Sequence, residues 1–531
     1  MHRRSLLVAA ASLATSPLAA PRLAHGQAGR ILNFVPYADV ASPDPIWSST
    51  YATRTSALAV FDTLYGVDEA LVASPQMVEG HVVEEEGSRW SLSLRYGLVF
   101  HDGERVLARD CVASIARWGK RDAFGQQLLA ATDELRAADD RTIIFRLKRP
   151  FPMLPDALAR PSSLVCAMMP ERIARTDPYS QMPEVIGSGP FRYVAGERVP
   201  GARVVYERHA AYRPRPEGAP SFTAGPRIAH LDRVIFNVMP DPAAAAAALQ
   251  VGEVDWIEQP LIDLLPLLRR SRDITVEVKD RFGYLGQFRF NHLHPPFNSA
   301  AVRRVILAAI SQTDCMKAVV GSEESIANSR VGVYTPGSPV ETDAGMAAAP
   351  ATPADFAALK RALGEAGYKG ESVVMLAAAE VPRITAVCEV TRDVLVRLGI
   401  NLDYVQADWG TIGARTTSKE PIERGGWSCY CTYVGGIDAM SPAMHSALRG
   451  NGVRGGPPGW PTSERIEELR ARFVLAPDPA AQKAVARELQ LQAWQDVPFV
   501  PLGQFIQPVA YRKVLTGMVP GVPLFTNIRK G

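Results

Sequence analysis

Alternating apolar and polar positions give the first clear element along the chain. Trp90–Arg95 alternates in this way, which predicts a strand. The next segment, Leu98–Glu104, contains the dipeptide Asp102-Gly103, a strong signal for a hairpin turn. Asp110 then precedes apolar residues at helical spacing, which predicts a helix that Asp110 caps. This part of the chain is therefore predicted to fold as strand, turn and helix.

Helical and strand patterns are intermixed along the rest of the chain. Apolar residues at helical spacing predict helices at Pro242–Gln250, Ser299–Val320, Pro353–Ala366, Ile384–Leu398, Ser463–Leu475 and Pro479–Trp494. Apolar runs and alternation predict strands at Thr142–Leu147, Ala202–Glu207, Arg233–Val238, Leu285–Phe290 and Asn401–Val405. Because the two types alternate, the predicted fold class is α/β, or mixed α+β, with several sheets.

The N-terminus has the layout of a secretory signal peptide. Residues 1–27 combine the basic pair Arg3 and Arg4, an apolar run from Leu6 to Ala14, and then small residues. The apolar run is too short to cross a bilayer. The adjacent arginines suggest the twin-arginine export route, and an ordinary Sec signal is the alternative. We expect a mature protein in the periplasm, without a lipid anchor.

Composition limits the number of lobes and the kinds of partner. The 531 residues are 47% hydrophobic and 21% charged, which suits a globular chain with a large core. A single core rarely exceeds about 300 residues, so two or three lobes are expected. A net charge of +3 is too small to indicate nucleic acid or a membrane surface as a partner. We expect a monomer.

The cysteines and histidines give little support to a metal site. There are six cysteines, and only Cys429 and Cys431 are close together, without a second pair to complete a zinc site. Buried thiols or one local disulfide are the expectation. His292 and His294 could ligate a metal, but a pair without a third ligand is weak, and a loop position beside Pro295 explains it equally well. We predict no cofactor and no metal.

A series of short motifs in a fixed order resembles the family 5 extracellular solute-binding proteins of bacterial ABC transporters, which include dipeptide-, oligopeptide- and nickel-binding proteins. The resemblance covers nearly the whole mature chain. The matching motifs are Ser42–Pro45, Phe61–Tyr65, Leu94–Gly103 with Ala108–Val112, Gly187–Phe191, Gly252–Asp255, Phe290-Asn291 with Pro295–Phe297 and Val302-Arg303, Ala366–Tyr368 and Gly399-Ile400. These motifs mark the scaffold. In the fourth, Gly187 and Gly189 suit a turn that needs positive φ.

The resemblance implies a type II periplasmic-binding-protein fold, with two main lobes joined by a hinge and an inserted extra domain. Ligand would be enclosed between domains I and III when the lobes close. The implied segments are the signal peptide 1–27, domain I at 28–65, 187–281 and 503–531, domain II at 66–186, and domain III at 282–502.

It also implies a position for the group that meets a ligand's ammonium. Peptide-binding members place an Asp four residues before a Pro in the third domain, and Asp438 lies four before Pro442 here. A carboxylate in a closed cleft needs a cationic partner, which gives Asp438 a reason to select amines. The alternative is an Asp that caps a local turn. The residues after Asp438 depart from the peptide-binder pattern, which leaves peptide specificity open.

Aromatic and basic residues complete the set of candidates. Trp427, Tyr430 and Tyr433 lie in a strand-like run, and they or Trp409 could form cleft walls, with core packing as the alternative. Arg383 and Arg415 could grip a carboxylate, with a solvated surface role as the alternative. In domain I, the candidates are the segment Asp39, Val40 and Ala41, which resembles the stretch that pairs with a peptide backbone, and the nearby Trp47 and Tyr51.

The function that follows is the substrate-binding component of an ABC importer. It would capture a short peptide or similar small molecule and deliver it to permease subunits in the inner membrane. The motifs typical of hydrolases and phosphate-binding loops are missing from the sequence, so an enzyme is not expected. A periplasmic peptide-binding chaperone is the main alternative, and a hydrolase is the second.

Overall fold

The computed structural model describes residues 30–350 and 355–531, which form a mixed α/β fold with several sheets. The proposed signal peptide, residues 1–27, lies outside the described residues. The strands in chain order are β1 (Ile31–Val35), β2 (Tyr65–Val67), β3 (Ala73–Pro75), β4 (Val78–Glu84), β5 (Arg89–Leu94), β6 (Thr132–Ala137), β7 (Thr142–Leu147), β8 (Phe191–Tyr193), β9 (Arg203–Arg208), β10 (Arg233–Asn237), β11 (Trp256–Ile257), β12 (Ile274–Glu277), β13 (Tyr284–Phe290), β14 (Ala327–Asn328), β15 (Ser372–Ala378), β16 (Asn401–Ala407), β17 (Cys429–Gly435), β18 (Phe499–Phe505), β19 (Val509–Arg512), β20 (Leu515–Thr516) and β21 (Arg529–Lys530).

Most helices follow the predicted periodic stretches. They are α1 (Tyr51–Val60), α2 (Ala108–Trp118), α3 (Ala123–Ala131), α4 (Leu154–Leu158), α5 (Glu171–Ala174), α6 (Pro242–Val251), α7 (Leu265–Arg270), α8 (Ala300–Ala309), α9 (Gln312–Val320), α10 (Phe356–Glu365), α11 (Pro382–Leu398), α12 (Trp409–Thr416), α13 (Glu464–Val474) and α14 (Pro479–Asp496). Among the described residues, no helix is long and apolar enough to cross a membrane.

A seven-stranded sheet combines distant parts of the chain, in the order β12-β19-β11-β1-β10-β9-β8. Strand β1 lies at its centre, parallel to both neighbours, and pairs Ile31 with Arg233 and Phe34 with Trp256. The C-terminal strand β19 returns to this sheet between β11 and β12. The sheet therefore brings the N-terminal and C-terminal parts of the chain together, because it contains strands from both.

A six-stranded sheet takes its strands from the second half of the chain, in the order β14-β18-β13-β17-β15-β16. Strand β13 is antiparallel to both β17 and β18. Strand β15 is parallel to β16 and β17, with α11 as the crossover between β15 and β16. A separate four-stranded sheet, β4-β5-β7-β6, contains the predicted strand at Trp90–Arg95. The domain boundaries remain a prediction, and each of these three sheets draws on a different set of segments.

Three local predictions are corrected by the structure. Asp110 is not the N-cap residue: α2 begins at Ala108, and the Asp110 carboxylate accepts a hydrogen bond from the Leu107 amide at 2.8 Å, inside the first turn. The predicted helix Ser299–Val320 is two helices, because the chain is extended at Ile310 and Ser311.

The third correction concerns the glycines around Ser188. Neither Gly187 nor Gly189 has a positive φ. A Cβ at these positions would instead lie 2.2 Å and 2.6 Å from the Val60 carbonyl oxygen. Glycine is required at both positions by the close approach of two backbones, because even one added carbon would overlap Val60.

The acidic residues in the sequence motifs hold the scaffold together. Asp44 pairs with Arg117, Asp62 with Arg227 at 3.0 Å, and Asp255 with Lys530 at 2.8 Å. The carboxylates of all three are about 1% exposed. Burial of a charge is costly unless the charge is paired. Replacement of any of these aspartates by a neutral residue would leave its cationic partner unpaired and should destabilise the fold. All six cysteines are buried and free.

Candidate functional site

A small cavity lies where segments of the seven-stranded sheet meet segments of the six-stranded sheet. The volume of the cavity is about 30 Å³, which is enough for about two water molecules. Its lining combines charges of both signs with amide and aromatic groups: Arg54, Trp256, Glu258, Gln259, Asp280, Gly283, Tyr284, Gln507, Val509, Gly521 and Pro523. Polar groups from segments of both sheets therefore line one small cavity.

Arg54 enters the cavity from α1, a helix whose residues are almost all buried. Its side chain belongs to a residue only 5% exposed, and the guanidinium carbon lies 4.6 Å from the centre of the Tyr51 ring. Nε of Arg54 is buried without a hydrogen-bond partner, and among the described residues the guanidinium forms no ion pair. Arg54 is thus a buried cation that faces the cavity.

Two carboxylates face the same space. Glu258 follows directly after β11 and accepts a hydrogen bond from the Tyr37 amide at 2.9 Å. Asp280 precedes β13 and accepts one from the Phe282 amide at 2.9 Å. Burial raises the pKa of both carboxyl groups, and the positive charge of Arg54 partly offsets that rise. Each carboxylate keeps acceptor positions that its single backbone donor does not use.

Arg383, at the start of α11, reaches the cavity through two amides. It donates to the Gln259 side-chain oxygen at 2.5 Å and to the Gln507 side-chain oxygen. Gln259 in turn donates to the Tyr284 hydroxyl at 2.6 Å. Burial lowers the pKa of Arg383, but a guanidinium remains protonated at neutral pH. Arg383, which the sequence suggested as a residue that binds a ligand carboxylate, therefore contacts the cavity only through the side-chain amides of Gln259 and Gln507.

Tyrosines form one wall of the site. Tyr51 and Tyr284 lie with ring centres 5.8 Å apart, and Tyr284 stacks on Phe505 at 5.4 Å. The Tyr51 hydroxyl accepts a hydrogen bond from the Gly435 amide, which links α1 to the end of β17. Burial raises the pKa of Tyr51 well above its ordinary value, so its hydroxyl stays neutral. The predicted Tyr51 thus joins the two sheets beside the cavity.

Asp438 lies close to Tyr51, but its partners come from the segment that follows α4. Its carboxylate accepts a hydrogen bond from the Ser162 hydroxyl and lies 3.4 Å from an Arg160 nitrogen. Arg160 also forms an ion pair with Asp122, which caps α3. The Asp438 side chain is 16% exposed. In this structure, the predicted ammonium-binding carboxylate already has an internal cation as its partner.

The aromatic candidates of the third lobe lie in different surroundings. Trp427 is fully buried, donates from Nε1 to the Ser418 carbonyl at 3.2 Å, and packs against Tyr430 with ring centres 5.3 Å apart. Tyr433 donates to the Arg383 carbonyl at 3.2 Å, which places it next to the cavity layer. Trp409 begins α12 and is half-buried. Core packing accounts for Trp427 and Tyr430 in this structure, and their role as ligand contacts stays a prediction.

The candidates of the first lobe contact a neighbouring loop. Asp39 accepts from the Gly201 amide at 2.8 Å, and the Val40 carbonyl accepts from Arg198 at 2.8 Å. Ala41 is exposed, and it is followed by Trp47, which is 37% exposed and lies under Arg121. Strand addition by this segment stays a prediction.

The remaining polar candidates bind backbone groups. Arg415 donates to the carbonyls of Gly425 and Gly426 at 3.1 and 2.8 Å. His292 pairs with the Pro498 carbonyl at 3.2 Å and His294 with the Lys419 carbonyl at 2.9 Å. Within the described ranges, no group of three or more potential metal ligands comes together.

Sequence reasoning missed the three charges that line the cavity. Arg54 stands inside an otherwise apolar and small-residue stretch of α1, a position where a charge is unexpected in a buried helix. Glu258 follows a short buried strand in the same way. These two signals were readable in the sequence, whereas Asp280, in the turn before β13, gives none. Arg54 is far along the chain from Glu258 and Asp280, and only the fold brings it to them.

The fold is typical of one class of protein, the bacterial solute-binding proteins. The sequence profile of the bacterial extracellular solute-binding proteins, family 5, matches residues 73–454. The chain belongs to this family, whose members are binding proteins of ABC transporters.

Similar proteins agree with this assignment. The chain is 34% identical over 504 residues to the probable peptide ABC transporter periplasmic-binding protein y4tO of Sinorhizobium fredii, covering 92% of this chain and 91% of that protein. The structure resembles the periplasmic binding protein DppA of Helicobacter pylori in complex with the peptide STSA, with a TM-score of 0.78, 18% identity and coverage of 94% and 98%. It also resembles AgaA of A. tumefaciens R10 in complex with agropinic acid, with a TM-score of 0.77, 20% identity and coverage of 94% and 99%. The fold is that of type II periplasmic binding proteins.

Proposed function

We propose that this protein captures a short peptide, or a small solute with similar charged groups, in the cavity between the seven-stranded and six-stranded sheets. The observation that carries the proposal is the lining of this cavity, which combines Arg54 with the carboxylates of Glu258 and Asp280. Such a set of fixed charges suits a solute that carries a carboxylate together with donor groups.

The volume of the cavity supports binding with a movement of the lobes. About 30 Å³ is far too small for a dipeptide, so the lobes must separate before a solute enters. The contacts that would break on opening include the hydrogen bond from Gly435 to Tyr51 and the ion pair between Asp438 and Arg160. Hinged closure on a ligand is the usual movement of such receptors. With a solute bound, the lobes would close to a cavity larger than the one in this structure.

The names of similar proteins support a peptide as the solute, but they also include a solute that is not a peptide. The relative y4tO is described as a probable peptide-binding protein, whereas the structural neighbour AgaA holds agropinic acid. We therefore propose peptides first and other small acids second. Delivery of the solute to permease subunits of an ABC importer, and a monomeric state, belong to the same proposal.

Export to the periplasm is proposed from residues 1–27. The pair Arg3 and Arg4 supports the twin-arginine route, and a Sec signal remains the alternative. Replacing both arginines with lysine in the full chain tests the route. Loss of the mature form from the periplasm supports twin-arginine export, and unchanged export supports Sec.

The function is tested by releasing the bound solute from protein purified from its native host. The protein is denatured and the released molecules are identified by mass spectrometry, with the matched unfolded and refolded protein as a blank. One small solute at about one per chain is the expected result for a receptor. A mixture of long peptides would instead favour the chaperone alternative, and a ligand that is cleaved on incubation would favour a hydrolase.

A further inference from the structure

We infer that Arg54 anchors the solute by binding a carboxylate group, and that Asp438 is not needed to hold an ammonium group. The inference rests on the proposed function, because it concerns the solute of the same cavity. It assigns the solute to the class of carboxylate-bearing molecules, including those whose amino group is blocked or missing.

The first step is a comparison of Arg54 with other buried arginines of the chain. Arg117 and Arg227, with side chains 2% and 3% exposed, each form an ion pair with a buried aspartate. Arg303, which has no carboxylate partner within 4 Å, donates to the carbonyls of Phe297, Asp496 and Val497 instead.

Arg54 is buried to the same degree, at 5% exposure, yet the described residues supply neither kind of partner. A buried guanidinium without an anion or hydrogen-bond acceptors is costly, and the ring of Tyr51 covers only one of its faces. A solute in the cavity could supply these acceptors, and a carboxylate is the group that a guanidinium binds best, through two parallel hydrogen bonds.

The cavity around Arg54 can accept such an anion. Glu258 and Asp280 lie near enough for the charge of Arg54 to lower their pKa values, but neither forms an ion pair with it. The solute's own donor groups would then face these two carboxylates and the amides of Gln259 and Gln507.

The second step concerns Asp438. Its carboxylate is bound by Arg160 and Ser162, which come from the loop after α4. Arg160 is held in turn by Asp122, which the amides of Phe124 and Gly125 fix at 2.8 and 2.9 Å. The cation that Asp438 needs is thus built into the protein, and a solute ammonium would have to displace it.

The experiment uses three forms of one mixed dipeptide library: free dipeptides, the same dipeptides as C-terminal amides, and the same dipeptides N-acetylated. Each is offered to the purified mature protein after its bound solute has been removed. Captured members are identified by mass spectrometry and their affinities are measured by calorimetry. The same measurements are made on Arg54→Gln and on Arg172→Gln, a control that removes an exposed arginine far from the cavity lining.

We expect free and N-acetylated dipeptides to bind, and amides to bind at least about ten-fold more weakly, because the charge-assisted pair is lost. Arg54→Gln should bind free dipeptides more weakly by a similar factor and should no longer distinguish them from amides. Arg172→Gln should behave as the wild type.

Equal binding of acids and amides by the wild type, or an unchanged preference in Arg54→Gln, would overturn the role of Arg54 while leaving solute capture intact. A native solute that contains no carboxylate would do the same. A wild-type protein that releases no small solute and captures none of the three libraries would overturn both proposals. A non-peptide acid as the native solute would reject the peptide class and support Arg54.

Discussion

Asp44 and Arg117 form a bidentate ion pair in which both side chains are at most 2% exposed. The two Arg117 nitrogens lie 3.0 and 2.8 Å from the two carboxylate oxygens. The Met182 amide donates to the same carboxylate at 2.9 Å, and Arg117 donates to the Ser180 carbonyl at 3.0 Å. The pair therefore ties the segment before α1 to α2 and to the chain that follows α5.

Arg117→Gln should be strongly destabilising. Removal of one partner leaves the buried Asp44 carboxylate without its cation, so we expect a loss of about 3–5 kcal/mol in the free energy of unfolding. Chemical denaturation measures this loss. The control is Arg172→Gln, which removes an exposed arginine that pairs with Asp102 at 2.7 Å and should cost at most about 1 kcal/mol. Similar losses in the two variants would show that the buried ion pair contributes no more to stability than an exposed one.

The sequence predicted this scaffold better than it predicted the site. The motif positions Asp44, Asp62 and Asp255 lie in short local patterns, and each has a structural role that depends on being acidic. Local patterns also predicted most of the helices and a minority of the strands, because alternation and helical spacing report which face of an element is buried. They failed at Ile310 and Ser311, where a break between two helices leaves the apolar spacing almost unchanged.

The site could be predicted only in part. Tyr51, Asp438, Arg383 and Tyr433 do lie in or beside the region where the lobes meet. The partner of Asp438 could not be foreseen, since Arg160 lies 278 positions away along the chain. The charges of the cavity are likewise divided along the chain, since Arg54 lies in α1 whereas Glu258 follows β11 and Asp280 precedes β13. A local pattern reports burial and propensity, whereas these contacts depend on how distant segments pack together.

Gly187→Ala and Gly189→Ala should each destabilise the fold. The new methyl group would lie 2.2 or 2.6 Å from the Val60 carbonyl oxygen, so one of the two backbones must move, at a cost of about 1–3 kcal/mol or more. Thermal unfolding compares these variants with Gly196→Ala, whose Cβ would meet nothing within 4 Å. Equal melting temperatures in all three variants would contradict the close contact between the backbones.

Buried His445 should make the protein less stable in mild acid. Burial, with the positive charges of Arg289 and Arg470, lowers the pKa of His445 to about 3, and its ring packs against Phe499 at 5.3 Å. The unfolded chain binds a proton at a pKa of about 6.5, whereas the folded chain does not, so the free energy of unfolding falls as the pH falls from above 6.5 towards 3. Between about pH 7.5 and about pH 5.5, this histidine alone should cost about 1.4 kcal/mol.

The contribution is measured as a difference in pH dependence. Wild type and His445→Gln are unfolded with denaturant at both pH values. The variant is expected to be less stable at the higher pH, because the packing is altered, but its stability should fall by about 1.4 kcal/mol less than that of the wild type on acidification. An equal fall in both proteins would mean that His445 is protonated in the folded state.

Asp438 and Arg160 should prove to be coupled to each other rather than to the solute. A double-mutant cycle with Asp438→Asn and Arg160→Gln is expected to give a coupling of about 0.5–3 kcal/mol in stability, because the two charges share one contact with Asp122 nearby. The affinity for a free dipeptide and for its N-acetylated form should change by the same factor in Asp438→Asn. An effect of Asp438→Asn on the free dipeptide alone would show that the carboxylate contacts the ammonium group and that Arg160 gives way when the solute binds. Equal changes in the two affinities would instead mean that the ion pair between Asp438 and Arg160 stabilises the conformation that binds solutes. Such an effect would favour the binding of any solute that fits the cavity.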